Sequence, residues 1–244
     1  MGRKWSNIKL KKAAADQARC QNYTKVLREV TMAVKRSGPE IESNFALKLA
    51  LLKAKQNNVP KDNVEKAIKK GMNEGGENYE EITYEGYGVE GVAVFVEAAT
   101  DNPTRTVANV RSYFNKVGGA LGKEGCLQFV FERKAIFTLE KNNLDADELT
   151  LELIDFGAED IEEEDGFLTI KAPVDAYGAL HQKLEEMNLT VAESGLERLP
   201  LNMKEVGSKE AFDKTMKLID LLEGDDDVQK VYHNLEYNEE FAES

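Results

Sequence analysis

Apolar positions recur at helical spacing through the first 72 residues. Between Ile8 and about Arg19, Ala13, Ala14, Ala15 and Ala18 stand among lysines, a helix-forming composition. Tyr23, Leu27, Val30 and Val34 then repeat every three or four residues, predicting a second helix that stops at Gly38-Pro39. A third helix follows a cap at Ser43 or Asn44, with Leu47, Ala50, Leu51 and Ala54 on one face. Pro60 opens a fourth, whose buried side is Val64, Ala67 and Ile68 and which Gly71 closes. Asn73 to Asn78, rich in Gly, Asn and Glu, reads as a linker.

Beyond the linker the pattern changes to strands alternating with helices. Val92–Glu97 is an apolar run and Asp101-Asn102-Pro103 a turn. Thr104 to Lys116 is helical, with Val107, Val110, Phe114 and Val117 along one side. Leu127–Phe131 reads as a second strand, Glu197–Leu201 as a third, Ser208–Glu223 as a helix and Val228–Tyr232 as a last strand. Between these lies a complete βαββαβ series: Ile136–Leu139, a helix over Ala146–Phe156, Glu159–Glu162, Phe167–Ile170, a helix over Val174–Met187, and Leu189–Ala192. Asp165-Gly166 supplies a hairpin turn. The predicted class is α+β: an N-terminal helical bundle followed by two ferredoxin-like βαββαβ domains, one inserted into the other. The predicted boundaries are 1–78 for the bundle, 79–133 plus 196–244 for the central domain, and 134–195 for the insertion.

Charge divides along the same boundaries. The whole chain carries −13, yet residues 1–78 hold 17 Lys and Arg against 8 Asp and Glu, a balance of +9. The remaining residues hold 15 against 37, a balance of −22. A chain polarised this way can hold a polyanion at one end and repel it at the other. The basic residues Arg3, Lys4, Lys9, Lys11, Lys12, Arg19, Lys25, Arg28 and Lys35 can each neutralise a phosphate, and Trp5 can stack on an unpaired base or anchor the arm. Phosphate contacts of this kind give affinity rather than sequence choice.

Other chemistry is sparse. Glu85, Glu97 and Asp101 cluster in sequence near Tyr84-Glu85-Gly86-Tyr87-Gly88 and could bind a metal or act as an acid/base pair. A hairpin turn plus a helix cap at Asp101 or Asn102 accounts for the same residues. His181 and His233 have no ligand partner at metal spacing, so no metal or cofactor is expected. Asp225-Asp226-Asp227 reads as an exposed acidic turn. Two distant cysteines, Cys20 and Cys126, fit a reducing cytoplasm, and no apolar run approaches membrane length. Met1-Gly2 with Ser6 matches a short myristoylation pattern of low information. No dimer-forming element is evident, so a monomer is expected. The acidic domains could dock a basic protein partner.

Several motifs together resemble the YebC/PmpR family. They are Lys4-Trp5-Ser6-Asn7-Ile8-Lys9, Thr24-Lys25-Val26-Leu27-Arg28-Glu29, Asn57-Asn58-Val59-Pro60-Lys61-Asp62, Tyr84-Glu85-Gly86-Tyr87-Gly88, Thr100-Asp101-Asn102 with Arg105-Thr106, Gly118-Gly119-Ala120-Leu121-Gly122, and the run from Asp226 to Asn234. The resemblance covers nearly the whole chain. It implies a three-domain α/β protein that regulates gene expression without catalysis, as a DNA-binding transcriptional regulator. Related members resemble translation factors acting on the ribosome through RNA, including mitochondrial activators and bacterial proteins that act at stalled proline runs.

Overall fold

The computed structural model describes residues 15–72, 79–142 and 144–242. They fall into two compact units: Gln128–Met203, and the residues up to Leu127 together with Lys204–Leu235.

The larger unit begins with three helices, α1 (Ala15–Ser37), α2 (Phe45–Gln56) and α3 (Lys61–Met72). α1 runs unbroken from Ala15 to Ser37, joining the end of the first expected helix to the second, because no glycine or proline interrupts it; the start of the first expected helix, residues 8–14, lies outside the described residues. Its end is set by Gly38, in the left-handed region at φ 84°. Asn44 caps α2, accepting from the Leu47 amide at 3.0 Å while its own Nδ2 donates to the carbonyls of Ala33 and Gly38. Val30, Val34, Leu47, Ala50 and Ala67 form the buried seam between the helices. Gly71 does not end α3 but lies within it. A Cβ there would stand 2.7 Å from the Thr31 carbonyl oxygen and 2.8 Å from Val34 Cβ, so glycine is what lets α3 lie directly against α1.

The same unit continues with β1 (Glu80–Tyr87), β2 (Ala93–Thr100), α4 (Pro103–Val117) and the short β3 (Ala120–Leu121). After the second unit, the chain returns as α7 (Lys209–Glu223) and β8 (Val228–His233). The sheet has the order β3-β1-β2-β8, with every pairing antiparallel. Tyr84, Val94, Val96 and Ala98 meet Val110, Phe114, Leu218 and Leu222 of α4 and α7 in one core. The expected class is found, but this sheet is wired differently from the βαββαβ expectation: its two middle strands are a hairpin. β1 was read as a turn because of Gly86 and Gly88. Gly86 is instead a strand residue whose missing Cβ makes room for Phe114 Cε1 and the Ala120 carbonyl, both 2.7 Å from where a Cβ would be. Leu127 is fully buried, but Leu127–Val130 is a turn and not a strand.

In the other unit, β4 (Phe131–Glu140), α5 (Ala146–Leu153), β5 (Asp160–Glu164), β6 (Phe167–Ala172), α6 (Tyr177–Glu186) and β7 (Val191–Pro200) follow the predicted βαββαβ series. Their sheet order, β5-β6-β4-β7, is that of a ferredoxin-like fold. Glu197–Leu201, expected in the central sheet, instead continues β7. Its residues pair with the start of β4, with Pro200 opposite Phe131 and Glu197 opposite Lys134. Leu168 and Ile170 alternate inward along β6 and, like Leu153 of α5 and Leu180 and Leu184 of α6, are fully buried. A final helical turn, α8, covers Glu239–Ala242.

Candidate nucleic-acid interface

Of the basic residues singled out in the sequence, Arg3, Lys4, Trp5, Lys9, Lys11 and Lys12 lie outside the described residues, and of Arg19 only its place in α1 is described. Lys25, Arg28 and Lys35 stand on α1. Lys35 is exposed near its C-terminal end, beside Arg36, whose Nη2 meets Glu81 Oε2 at 2.7 Å. Lys25 and Arg28 turn toward the loop between α7 and β8. Lys25 Nζ donates to the Glu223 carbonyl at 2.8 Å. Burial pushes its ammonium below the ordinary lysine pKa, and the negative charges of Glu223, Asp225 and Asp226 offset this only in part.

Arg28 is held more firmly. Its Nη1 donates to the carbonyls of Ala99 (2.8 Å) and Asp226 (2.6 Å) and approaches Asp227 Oδ1 at 3.4 Å. Its guanidinium also lies 4.7 Å from the centroid of the Tyr79 ring, with Lys70 Nζ 5.5 Å from the same centroid.

The acidic turn that reads as solvated in the sequence is therefore the socket for α1. Asp225 and Asp227 are 8% and 4% exposed. Asp227 accepts from Arg105 Nη2 (2.7 Å), Thr106 Oγ1 (2.8 Å) and Thr100 Oγ1 (3.1 Å). Burial alone would raise its carboxyl pKa. The hydrogen bonds from Arg105 and Thr106, the charge of Arg105 and the bond from Thr100 outweigh burial and hold it below the usual carboxylate range. Asp225 accepts from Tyr113 Oη at 2.9 Å, and burial together with that bond pushes the Tyr113 phenol up to about 12. The helix that presents Arg105 and Thr106 is capped by Asn102, whose Oδ1 accepts from the Arg105 amide at 3.1 Å.

The candidate acid/base cluster is also accounted for by structural partners. Glu85 is buried and accepts from the amides of Gly125 (2.8 Å) and Leu127 (2.6 Å), tying the 123–127 loop to β1. Asp101 pairs with Arg105 at 2.8 Å, and Glu97 lies at the register position opposite Lys230. Burial and the Glu85 charge raise the pKa of the Cys126 thiol, so it is a poor nucleophile. Among the described residues, no three His, Cys, Asp or Glu side chains are grouped to hold a metal ion, and no helix is long and apolar enough to cross a membrane.

Asn63, Lys66 and Lys70, which were not among the candidate site residues, gather on α3 beside the buried Ala67. Asn63, Lys66, Ala67 and Lys70 share one face with Thr24, Leu27, Arg28 and Thr31 of α1 around a cavity of about 280 Å³ closed by Tyr79. The signal that could have found them is the three- and four-residue spacing of Asn63, Lys66 and Lys70, which places them in one row of a helix.

Comparison with known proteins covers the whole chain. A model described as the TACO1/YebC protein N-terminal domain matches residues 3–74, and one described as the TACO1/YebC second and third domain matches residues 79–235. A protein of Flavobacterium johnsoniae named a probable transcriptional regulatory protein is 44% identical over 236 residues, 96% of this chain and 99% of that one. One of the same description from Porphyromonas gingivalis is 41% identical, covering 98% of this chain and 99% of the relative. The crystal structure of a conserved hypothetical protein from Aquifex aeolicus superposes with a TM-score of 0.85 at 37% identity, covering 96% of this chain and 97% of that one. With family models matching residues 3–74 and 79–235, and relatives this similar along nearly their full lengths, the chain belongs to the TACO1/YebC family.

Proposed function

We propose that this protein is a non-enzymatic regulator of gene expression that binds nucleic acid through its basic N-terminal helices, as a DNA-binding transcriptional regulator acting in the cytoplasm. The observation that carries this reading is the charge division: +9 within residues 1–78 and −22 in the rest of the chain. The naming of its relatives as probable transcriptional regulatory proteins supports the same reading. The helical residues up to Asn78 serve as the binding module. The segments 79–133 with 196–244, and 134–195, are acidic, which confines a polyanion to the basic segment and suits them to a basic protein partner. Arg3, Lys4, Trp5, Lys9, Lys11, Lys12, Arg19 and Lys35 supply the contacts. Lys25 and Arg28 set the basic helix on the acidic loop, so they act on binding through the position of α1.

The test is binding to random duplex DNA and to ribosomes across a salt series, with wild type compared with a Lys9, Lys11, Lys12→Ala variant. Six engaged phosphates give a log–log salt slope of about −5 on duplex DNA, and the triple change lowers its magnitude by roughly 3. Binding that ignores the triple change overturns the assignment of the basic arm. Ribosome binding that persists at physiological salt while DNA binding collapses overturns the transcriptional reading in favour of action on the ribosome.

A further inference from the structure

We propose that the exposed face of α5 is a docking surface for a basic amphipathic helix of a partner protein, with Leu151 and Ile154 as its apolar centre and Asp147, Glu148, Glu152 and Asp155 as its charged rim. The inference deepens the reading that the acidic segments take a basic protein partner, and rests on it.

The inner side of α5, Leu149 and Leu153, is buried and holds the helix in place. The outer row has no such task. Leu151 is 75% exposed, and Ile154, which continues the helical path as the C-cap, is 58% exposed. The two stand three residues apart, so they share one ridge. Among the described residues only Phe129 leaves a greater fraction of a large apolar side chain in water. A single exposed leucine is ordinary on a soluble protein. Two aliphatic side chains on one ridge, ringed by charge, have the composition of a small interface: an apolar centre and a polar rim.

The rim decides what kind of partner fits. Residues 128–203 hold 18 Asp and Glu against 6 Lys and Arg, a balance of −12. The lysines there that form ion pairs serve the sheet: Lys134 meets Glu132 and Glu159, Lys141 meets Glu163, and Lys171 meets Asp160 and Glu162. Among the described residues, none of the four carboxylates on α5 has a cationic partner. Asp147 and Glu148 suit the positive end of the helix dipole. Glu152 and Asp155 stand at the opposite end, where the dipole disfavours negative charge, and α5 carries no base in its last turn. Glu148 and Glu152 also repel each other at i,i+4 spacing. The outer row thus joins exposed apolar area to uncompensated charge, and neither helps α5 to fold. A helix with one aliphatic stripe flanked by lysines or arginines relieves both, covering the ridge and neutralising the rim. The same rim repels a polyanion, so the partner is a protein and not the nucleic acid. With only 8 residues in α5 the contact is small, which makes the complex weak and reversible.

The experiment uses the full chain and a synthetic peptide of leucine and lysine patterned as an amphipathic helix. A second peptide of the same composition is scrambled to spread the leucines around the helix. Binding is read by fluorescence anisotropy of the labelled peptides across a salt series, and by methyl NMR of Leu151 and Ile154. Wild type is compared with L151S/I154S, with E152Q/D155N, and with a control, E205Q/D213N, which removes the same charge from exposed positions outside α5. All the substituted side chains are exposed, so each variant should melt near wild type, which thermal scans check. The expected result is saturable binding of the amphipathic peptide to wild type, weakened about tenfold or more by L151S/I154S and about threefold by E152Q/D155N, with less than about twofold for the control. E152Q/D155N should also make the salt dependence shallower, and the scrambled peptide should bind about tenfold more weakly than the patterned one. If the control weakens binding as much as E152Q/D155N, the attraction is not local to α5 and the proposal is overturned. Equal binding of both peptides, left unchanged by L151S/I154S, overturns the docking surface while the wider reading, a basic protein drawn by charge, stands. No binding of either peptide at low salt overturns both.

Discussion

Replacing Asp227 tests whether the acidic loop is the socket for the basic helix. Its side chain is 5% exposed and meets Arg105, Thr106, Thr100 and Arg28 at 2.7, 2.8, 3.1 and 3.4 Å. Asp227→Ala takes the carboxylate acceptor from the fully buried hydroxyls of Thr100 and Thr106, of which Thr106 keeps the Asn102 carbonyl at 3.1 Å, and removes the carboxylate facing Arg28. Taking one member from a buried ion pair costs about 3–5 kcal/mol. Here the long Arg28 contact and the half-exposed Arg105 place the loss at the lower end, about 3 kcal/mol, against a total stability of roughly 5–15 kcal/mol for a domain. Urea unfolding followed by far-UV circular dichroism reads the change.

The pH dependence gives a second, independent check on the same residue. Its carboxyl pKa is depressed in the folded chain, so its contribution is complete above the ordinary carboxylate pKa of about 4 and is lost as pH falls through the depressed value. The gap between wild type and Asp227→Asn is therefore constant near neutrality and closes on acidification. A gap under 1 kcal/mol at pH 7, or one unchanged down to pH 3, refutes the socket.

Three further predictions concern the frame around the site. Gly71→Ala gains up to about 1 kcal/mol of helix propensity but forces a Cβ to within 2.7 Å of a backbone oxygen of α1. A net loss of about 1–2 kcal/mol is expected in the same urea titration, and a stabilised variant would show that α3 does not pack this closely. Burial lowers the His233 imidazole pKa to about 4, so the folded chain keeps it neutral while the unfolded chain takes up a proton below about 6.5. Stability should fall by up to about 3 kcal/mol as pH drops from 6.5 to 4, and His233→Phe should flatten that slope, an outcome that an unchanged slope contradicts. Glu85→Gln removes one acceptor from the Gly125 and Leu127 amides, at a cost of about 1–3 kcal/mol, and hydrogen exchange at those two amides should quicken. Unaltered protection there would remove Glu85 from its role in the loop.

Residue spacing and composition alone placed features that are local or compositional. Helix-period apolar positions placed α2, α3 and the late helices, because Leu47, Ala50 and Ala54 recur on one face whatever they pack against. Turn chemistry at Asp165-Gly166 placed the hairpin of β5 and β6. The division of charge was legible because counting needs no geometry. The partner of each segment emerges only once the chain is packed. Gly86 looks like a turn residue until Phe114 and Ala120 are seen to occupy the place of its side chain, and Gly71 looks like a helix stop until α1 lies against it. Asp225 and Asp227 look solvated until α1 and α4 bring Arg28, Arg105, Thr106 and Tyr113 to them from more than 100 residues away. A carboxylate's worth depends on what faces it and how much water is excluded, and neither is a property of its neighbours in the chain.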